Sequence, residues 1–178
     1  ASDVYKRQGS GMGEATALAL AKSGANVAIV GRRMATLTST LAKVQPFGKI
    51  LAKEADVTDR KSLDGLFQWF DGEVGTLDYL VHAAGVNVAL RSMQELSPDD
   101  WDQLIETNLT GSYNIIRLTL ERMRIQKKGL IILINSVAGK RSVPLAGIGY
   151  NASKFGMTGL GMGLAEEEKI HGIRISSL

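Results

Sequence analysis

The chain contains no cysteine, and only two of its 178 residues are histidines, His82 and His171. The absence of cysteine excludes disulfides, thiolate nucleophiles and cysteine-ligated zinc, and two histidines so far apart in sequence do not suggest a histidine-based metal site. We therefore expect no metal centre. Any redox chemistry would need a bound cofactor.

Long apolar runs are also missing. No stretch reaches the roughly 18 consecutive apolar residues that a membrane span needs, and the first residues, ASDVYKRQ, lack the apolar core of a signal peptide. The formal net charge is only +3, and the basic residues occur as scattered pairs rather than in one cluster. These features predict a cytoplasmic protein that binds neither membranes nor nucleic acid.

Short apolar segments alternate with longer segments of mixed polarity. The short segments are rich in Val, Ile and Leu, which is typical of buried parallel strands, and they cover 26–31, 49–57, 77–83, 129–136 and 172–178. The longer segments predict helices over 11–23, 33–45, 59–74, 97–126 and about 149–170. Asp59 and Ser97 are suited to cap their helices. This alternation predicts an α/β fold with a doubly wound parallel sheet in three α/β/α layers, a Rossmann fold.

The predicted helix 97–126 is long and apolar on more than one side. Its large apolar residues are Trp101, Leu104, Ile105, Leu109, Ile115, Ile116, Leu118, Leu120 and Met123. A helix that is apolar all round is normally buried all round. It either packs wholly within the core or presents a second face to another subunit, as in a homo-oligomer (dimer or tetramer) built through 97–126. The three glutamates at 166–168 are expected to form a solvated helix face.

The two ends predict an incomplete domain. A strand is expected before a glycine-rich turn of the kind found here, yet Val4 and Tyr5 are the only large apolar residues in the atypical head, residues 1–8. The first strand is thus expected to be absent or replaced, and the chain stops at Leu178 before any segment that could cover a substrate. We expect residues 1–178 to form one incomplete domain.

A glycine-rich segment opens the first predicted helix. Gly9, Ser10, Gly11 and Met12 lie at its N-terminus. Glycines allow a sharp bend there and let a pyrophosphate approach the backbone N–H groups of the helix end. The segment predicts a cofactor phosphate site, although a simple turn has the same pattern.

The residues about 20 positions further on predict which cofactor is bound. An acid at that position would bind the ribose 2′-hydroxyl and repel a 2′-phosphate. This chain has Gly31 there, followed by Arg32 and Arg33. Two guanidinium groups in place of an acid predict NADP(H) in preference to NAD(H); two solvated arginines at a helix start are the alternative.

Tyr150 and Lys154 are four residues apart at the start of the last predicted helix. Residues i and i+4 are neighbours on a helix face, so the Lys154 ammonium is expected beside the Tyr150 phenol. A free tyrosine has a pKa of about 10, and a nearby cation favours its ionised form. The pair therefore predicts a tyrosine that exchanges protons near neutral pH.

With these motifs in place, the chain from Gly9 to Leu178 resembles the short-chain dehydrogenase/reductase family, in its single-domain branch. Two motifs depart from the family pattern: Lys6 and Arg7 replace the first residues of TGxxxGxG, and residues 82–85 read HAAG instead of NNAG. The resemblance implies that Asp56 and Val57 contact the adenine, and that Ala83, Ala84 and Gly85 border the cofactor.

The resemblance also implies four catalytic residues, Asn108, Ser136, Tyr150 and Lys154. Asn108 would break the long helix and hold a relay water, and Ser136 would hydrogen-bond the substrate oxygen. Tyr150 would be the general acid in reduction and the base in oxidation. Lys154 would lower the pKa of the tyrosine and hold the nicotinamide ribose.

The implied reaction is hydride transfer between NADP(H) and a small-molecule carbonyl or secondary alcohol. The motifs of the chain most resemble those of 3-oxoacyl-acyl-carrier-protein reductases. The loops 85–96 and 139–149 follow the carboxyl ends of strands and are expected to border the substrate. Two alternatives remain open: a nucleotide-binding protein without turnover, and an epimerase or dehydratase of the family's extended branch. Residues 1–178 are expected to form one incomplete NAD(P)-binding domain, which by itself binds NADPH weakly and turns over little.

Overall fold

The computed structural model describes residues 11–44, 47 and 50–178, in which helices and strands alternate. In chain order they are α1 (Met12–Lys22), β1 (Val27–Gly31), α2 (Met34–Val44), β2 (Ile50–Glu54), α3 (Arg60–Glu73), β3 (Tyr79–His82), α4 (Pro98–Ile105), α5 (Gly111–Gln126), β4 (Gly129–Leu133), α6 (Ile148–Glu167) and β5 (Ile173–Ser177). Each predicted element is present, with ends that differ from the prediction by a few residues.

The described strands form two parallel sheets. β1 pairs with β2, from Val27 opposite Ile50 to Gly31 opposite Glu54. The second sheet has the order β3-β4-β5 and is also parallel throughout. Parallel strands joined by helices confirm the predicted α/β fold class. The prediction about the first strand falls on residues 1–8, outside the described residues.

Two capping residues begin their helices as predicted. The Asp59 carboxylate accepts hydrogen bonds from the backbone N–H groups of Lys61 and Ser62, at 2.9 and 3.2 Å. The Ser97 hydroxyl accepts one from the N–H of Asp100 at 3.1 Å, and Pro98 occupies the first turn. These bonds satisfy N–H groups that have no partner within the helix.

The larger core lies between the three-stranded sheet and the helices α3, α5 and α6. Its fully buried members include Leu63, Ile116, Met123, Ile131 and Met157. A smaller core joins α1, β1 and α2. Together these two cores fix the carboxyl ends of the strands, where ligands bind in open α/β sheets.

The long predicted helix is divided at its middle. α4 and α5 are joined by one π-helical turn, Glu106–Thr110, so the helical stretch continues but its register shifts there. Ile115, Ile116, Leu118, Leu120 and Met123 of this stretch are buried by the chain itself. Of the two roles considered for this helix, these residues fit packing within the core.

The expectation that 166–168 is solvated is wrong for Glu168. The last turn of α6 passes into a short 3₁₀ helix, Glu168–His171, in which the Glu168 side chain is completely buried. Its carboxylate accepts two hydrogen bonds from the Arg124 guanidinium of α5, one of them from Nε at 3.0 Å. A buried carboxylate is stable here because a bidentate arginine compensates its charge.

Within the described part of the chain, no helix is both long enough and apolar enough to span a bilayer.

Candidate active site

The site forms where β3 and β4 end and α6 begins. A cavity of about 390 Å³ opens there, and Ser136, Tyr150 and Lys154 all line it. Ala83, Ala84 and Gly85, which follow β3, form another part of its wall. The structure thus brings three of the four predicted catalytic residues together with Met12, Ala83, Ala84 and Gly85, which were predicted to bind the cofactor.

Lys154 is the most deeply buried charged group of the cavity, with 3% of its surface exposed. Its Nζ donates a hydrogen bond to the carbonyl of Ile134 at 3.0 Å and lies 3.7 Å from the Met157 sulfur. Burial lowers the pKa of Lys154 to about 8, because water stabilises the ammonium poorly at this depth. The Lys154 ammonium therefore loses its proton at a lower pH than an exposed lysine does.

Tyr150 lies one helical turn before Lys154 on α6. The Lys154 Nζ is 5.8 Å from the centroid of the Tyr150 ring, so the cation lies beside the aromatic side chain. Tyr150 is partly buried and borders the cavity. The predicted side-by-side arrangement of phenol and ammonium is therefore present.

Ser136 lies directly beyond β4. Its Oγ accepts a hydrogen bond from the N–H of Ala138 at 3.1 Å and caps a short 3₁₀ helix, Val137–Gly139. Since the oxygen accepts this bond, the hydroxyl hydrogen can be donated to a group in the cavity. Ser136 can therefore act as a fixed hydrogen-bond donor.

Asn108 lies in the π-helical turn, fully buried, and does not line the cavity. Its Oδ1 accepts a hydrogen bond from the N–H of Val86 at 2.7 Å, and its Nδ2 donates to the Val86 carbonyl and to Ser153 Oγ, both at 3.0 Å. Ser153 in turn donates to the Tyr150 carbonyl at 2.8 Å. The Asn108 side chain therefore joins the segment after β3 to the helix that carries Tyr150 and Lys154.

The sequence did not predict the hydrogen bonds that Val86, Ser153, Ser112 and His82 make. Ser153 lies inside the YNASK motif, next to Lys154, and this adjacency was the available signal. No local pattern marks Val86 or Ser112, because their partners are 22 and 30 residues away in sequence.

The predicted phosphate site begins at Gly11, which precedes α1. Gly11 has φ 86°, a backbone conformation that favours glycine, and Met12 lines the cavity. A Cβ placed on Gly13 would lie 3.6 Å from the Ala83 Cβ, so the start of α1 lies close to the segment after β3. Gly9 and Ser10 lie outside the described residues.

The other predicted cofactor residues lie at the carboxyl ends of β1 and β2. Gly31 ends β1, and Arg32 and Arg33 follow it with exposed side chains. The Arg32 guanidinium is 3.9 Å from the Asp56 carboxylate, whose other oxygen accepts hydrogen bonds from the Thr58 N–H and hydroxyl at 3.0 and 2.9 Å. These residues form a second polar group, separate from the cavity.

Val57 packs against the start of α5. A Cβ placed on Gly111 would lie 2.6 Å from Val57 Cγ2, so only glycine fits there, and the Val57 carbonyl accepts a hydrogen bond from Asn114 Nδ2 at 3.1 Å. The structure therefore gives Val57 a packing role beside the cofactor contact implied by the resemblance.

Two loops form the outer wall of the cavity. Asn87 Nδ2 donates to the carbonyl of Ala146 at 3.1 Å, and Arg91 Nη1 donates to that of Leu145 at 2.9 Å. The N–H of Ile148 donates to the Arg91 carbonyl at 3.3 Å. These bonds tie the loop 85–96 to the loop 139–149, the pair expected to border the substrate.

Comparison with known proteins identifies the family. The family model described as short chain dehydrogenase matches residues 8–178. A curated 3beta-hydroxysteroid dehydrogenase of Mediterraneibacter gnavus is 33% identical over 170 residues, which are 95% of this chain and 61% of that protein. The chain thus spans less than two thirds of this relative's length.

Solved structures agree with this match. The crystal structure of a 3-ketoacyl-ACP reductase from Sinorhizobium meliloti 1021 has a TM-score of 0.90 and 32% identity, and the match covers 95% of this chain and 67% of that one. A metagenomic short-chain oxidoreductase in complex with NADP has a TM-score of 0.88 and 31% identity, with 95% and 75% covered. The chain therefore belongs to the short-chain dehydrogenase family.

Proposed function

We propose that this protein is an oxidoreductase that transfers a hydride between NADP(H) and a carbonyl or secondary alcohol. The observation that carries the proposal is the buried Lys154 ammonium beside the Tyr150 ring, in a cavity that Ser136 also lines. A proton donor and a hydrogen-bond donor in one cavity suit a reaction in which a carbonyl oxygen becomes a hydroxyl.

The residues around the cavity fit a dinucleotide. The N-terminus of α1 at Gly11 offers backbone N–H groups for a pyrophosphate, and Lys154 offers an N–H for a ribose hydroxyl. A Cβ on Gly85 would lie 3.4 Å from Asn108 Oδ1 and 3.8 Å from Lys154 Nζ, so glycine keeps the space before the ammonium open. The bound nicotinamide would supply or accept the hydride.

The chain's own residues would manage the proton and the oxygen. In reduction, Tyr150 donates its phenolic proton to the oxygen that becomes an alkoxide, and in oxidation it takes that proton back. Ser136 donates a hydrogen bond to the same oxygen and fixes its position. The Lys154 ammonium stabilises the phenolate that remains when Tyr150 has given up its proton.

The preference for NADP(H) is supported by charge. Arg32 and Arg33 are exposed directly after β1, and Gly31 occupies the place where an acid would repel a 2′-phosphate. The ion pair between Arg32 and Asp56 is long, at 3.9 Å, and both side chains are partly exposed. This ion pair therefore opposes a contact of Arg32 with a phosphate only weakly.

The cavity wall supports an apolar substrate. Val143 and Leu145 line it, and Leu145 is 81% exposed at its rim. Lys140 and Arg141 of the loop 139–149 do not line the cavity, so they give no support for an anionic group on the substrate. A 3-oxoacyl thioester, which the similarity of the motifs to those of 3-oxoacyl-acyl-carrier-protein reductases suggests, is one carbonyl substrate to test.

Replacing Tyr150 with phenylalanine tests the proposal. In the full-length protein, we expect Tyr150→Phe to lower kcat for reduction of a ketone panel, including a 3-oxoacyl thioester, by about 100-fold or more, because the proton donor is lost. NADPH binding, followed by nicotinamide fluorescence, should stay within about twofold, since the ring is kept. The matched control is Tyr79→Phe, which removes the hydroxyl of an exposed tyrosine on β3, outside the cavity lining.

Activity of Tyr150→Phe above a few per cent of wild type would contradict the role of Tyr150. Saturable NADPH binding without turnover of any carbonyl by the wild-type protein would instead favour the non-catalytic alternative.

A further inference from the structure

A buried histidine lies beneath the cavity, at the end of β3. His82 is 4% exposed, and its Nε2 is 2.8 Å from the hydroxyl oxygen of Ser112 on α5. Ser112 is fully buried, and its hydroxyl donates to the backbone carbonyl of Asn108 at 2.6 Å. The three residues form a continuous hydrogen-bonded chain from the sheet to the π-helical turn.

The direction of these hydrogen bonds follows from the number of hydrogens. A serine hydroxyl has one hydrogen, and the Asn108 carbonyl can only accept. The Ser112 hydrogen is therefore used on Asn108, and the Nε2 of His82 must carry the hydrogen of the second bond. Burial and, to a lesser extent, the nearby Lys154 charge lower the pKa of His82 to about 4, so at neutral pH the ring is neutral.

The chain of contacts continues from Asn108 to the reacting groups. The Asn108 side chain holds both backbone groups of Val86, which lines the cavity, and through Ser153 it reaches the Tyr150 carbonyl. A change in the orientation of Asn108 would therefore move the wall after β3 relative to the first turn of α6.

We propose that His82 and Ser112 are positioning residues, which hold the π-helical turn so that Asn108 fixes the cavity wall against the helix of Tyr150 and Lys154. The proposal rests on the proposed function. The family pattern NNAG has asparagine at position 82, so this contact is made by a residue at which the chain departs from the pattern.

Four variants test the pair: His82→Phe, Ser112→Ala, the double variant and His82→Gln. Phenylalanine keeps a ring but has no N–H, whereas glutamine keeps an N–H at about the reach of Nε2. The matched control is Thr119→Val, which removes the buried hydroxyl of Thr119 from the same helix, away from the cavity. Each variant is made in the full-length protein and measured for kcat, KM, NADPH affinity and hydrogen exchange of the Val86 amide.

We expect His82→Phe and Ser112→Ala each to lower kcat about tenfold, with KM and NADPH affinity within about twofold, because small displacements of reacting groups slow chemistry more than binding. The double variant should be no slower than either single one, since both break the same chain of bonds. His82→Gln should restore most of the rate. The Val86 amide, which Asn108 holds, should exchange its hydrogen faster in both single variants. Its exchange rate in Thr119→Val should equal that of the wild type.

The proposal is overturned if Thr119→Val shows the same losses, if the two single effects add in the double variant, or if the Val86 amide keeps its protection in His82→Phe and Ser112→Ala. A wild-type protein without turnover would contradict the proposed function alone. Hydrogen exchange of the Val86 amide would then show whether His82 and Ser112 hold the segment after β3 in place.

Discussion

At the scale of single residues, Lys154 combines a charge with almost complete burial. Its ammonium contacts the Ile134 carbonyl and the Met157 thioether, and burial lowers its pKa from 10.5 to about 8. Between these two pH values the unfolded chain binds more protons at this site than the folded one. The folded state therefore gains stability as pH rises through this range, and the cost of burying the charge is fully present below pH 8.

Lys154→Met tests whether burial of the Lys154 charge makes the stability depend on pH in this way. The free energy of unfolding of the wild type should rise by up to about 3 kcal/mol relative to this variant between pH 8 and pH 10.5, because only the wild type loses a buried charge there. Urea unfolding at a series of pH values measures the difference. Lys140→Met, at an exposed lysine, should show none of this trend, and a difference constant with pH for Lys154→Met would contradict the assignment.

The spacing of Tyr150 and Lys154 made this pair predictable, since neighbours on a helix face are set by local geometry. The role of Asn108 was predictable in part. The resemblance indicated the break in the long helix, but the contacts with Val86 and Ser153 bring together residues 22 and 45 positions away. A local pattern carries no information about such contacts.

At the scale of elements, the stretch from α4 to α5 shows how an apolar pattern can have two meanings. The residues that suggested a second apolar face are largely covered by the core of this chain. The outward side of α5 instead carries Tyr113, the ion pair of Arg117 with Glu121, and Ile125. The sequence pattern indicates how apolar each side of the helix is. Tertiary packing decides which element of the protein covers each side.

We still propose a homo-oligomer through this stretch, using Tyr113 and Ile125, which are 47% and 84% exposed. Tyr113→Glu should then shift the mass measured by analytical ultracentrifugation toward the monomer, because a charge at an apolar contact is costly. Met162→Glu on α6 is the control, since Met162 is also exposed and lies outside the stretch. A wild-type protein that is monomeric at micromolar concentration would refute the proposal.

At the scale of the whole molecule, the two polar groups follow two separately paired sets of strands among the described residues. Arg32 and Asp56 follow the strands of the two-stranded sheet, whereas Ser136, Tyr150 and Lys154 belong to the three-stranded one and α6. A dinucleotide would extend from one to the other, with its adenosine end at Arg32. Cofactor preference and catalysis should therefore be separable by mutation.

Arg32→Asp tests this separation. We expect the preference for NADPH over NADH, measured as the ratio of kcat/KM values, to fall by about tenfold or more, because an aspartate repels the 2′-phosphate and can bind a free 2′-hydroxyl. The kcat at saturating NADPH should change little, since Tyr150 and Lys154 are untouched. Arg174→Asp, at an exposed site on β5, should leave the ratio unchanged. An unchanged ratio in Arg32→Asp would reject the proposed preference.

The sequence by itself determined the alternation of helices and strands, the two helix caps, and the spacing of Tyr150 and Lys154, because each depends on residues within a few positions of one another. Only the tertiary structure decided that Lys154 is buried deeply enough to change its pKa, that Glu168 is buried against Arg124, and that His82 contacts Ser112. Burial and long-range hydrogen bonds depend on which distant segments pack together, and a periodic pattern along the chain does not specify those partners.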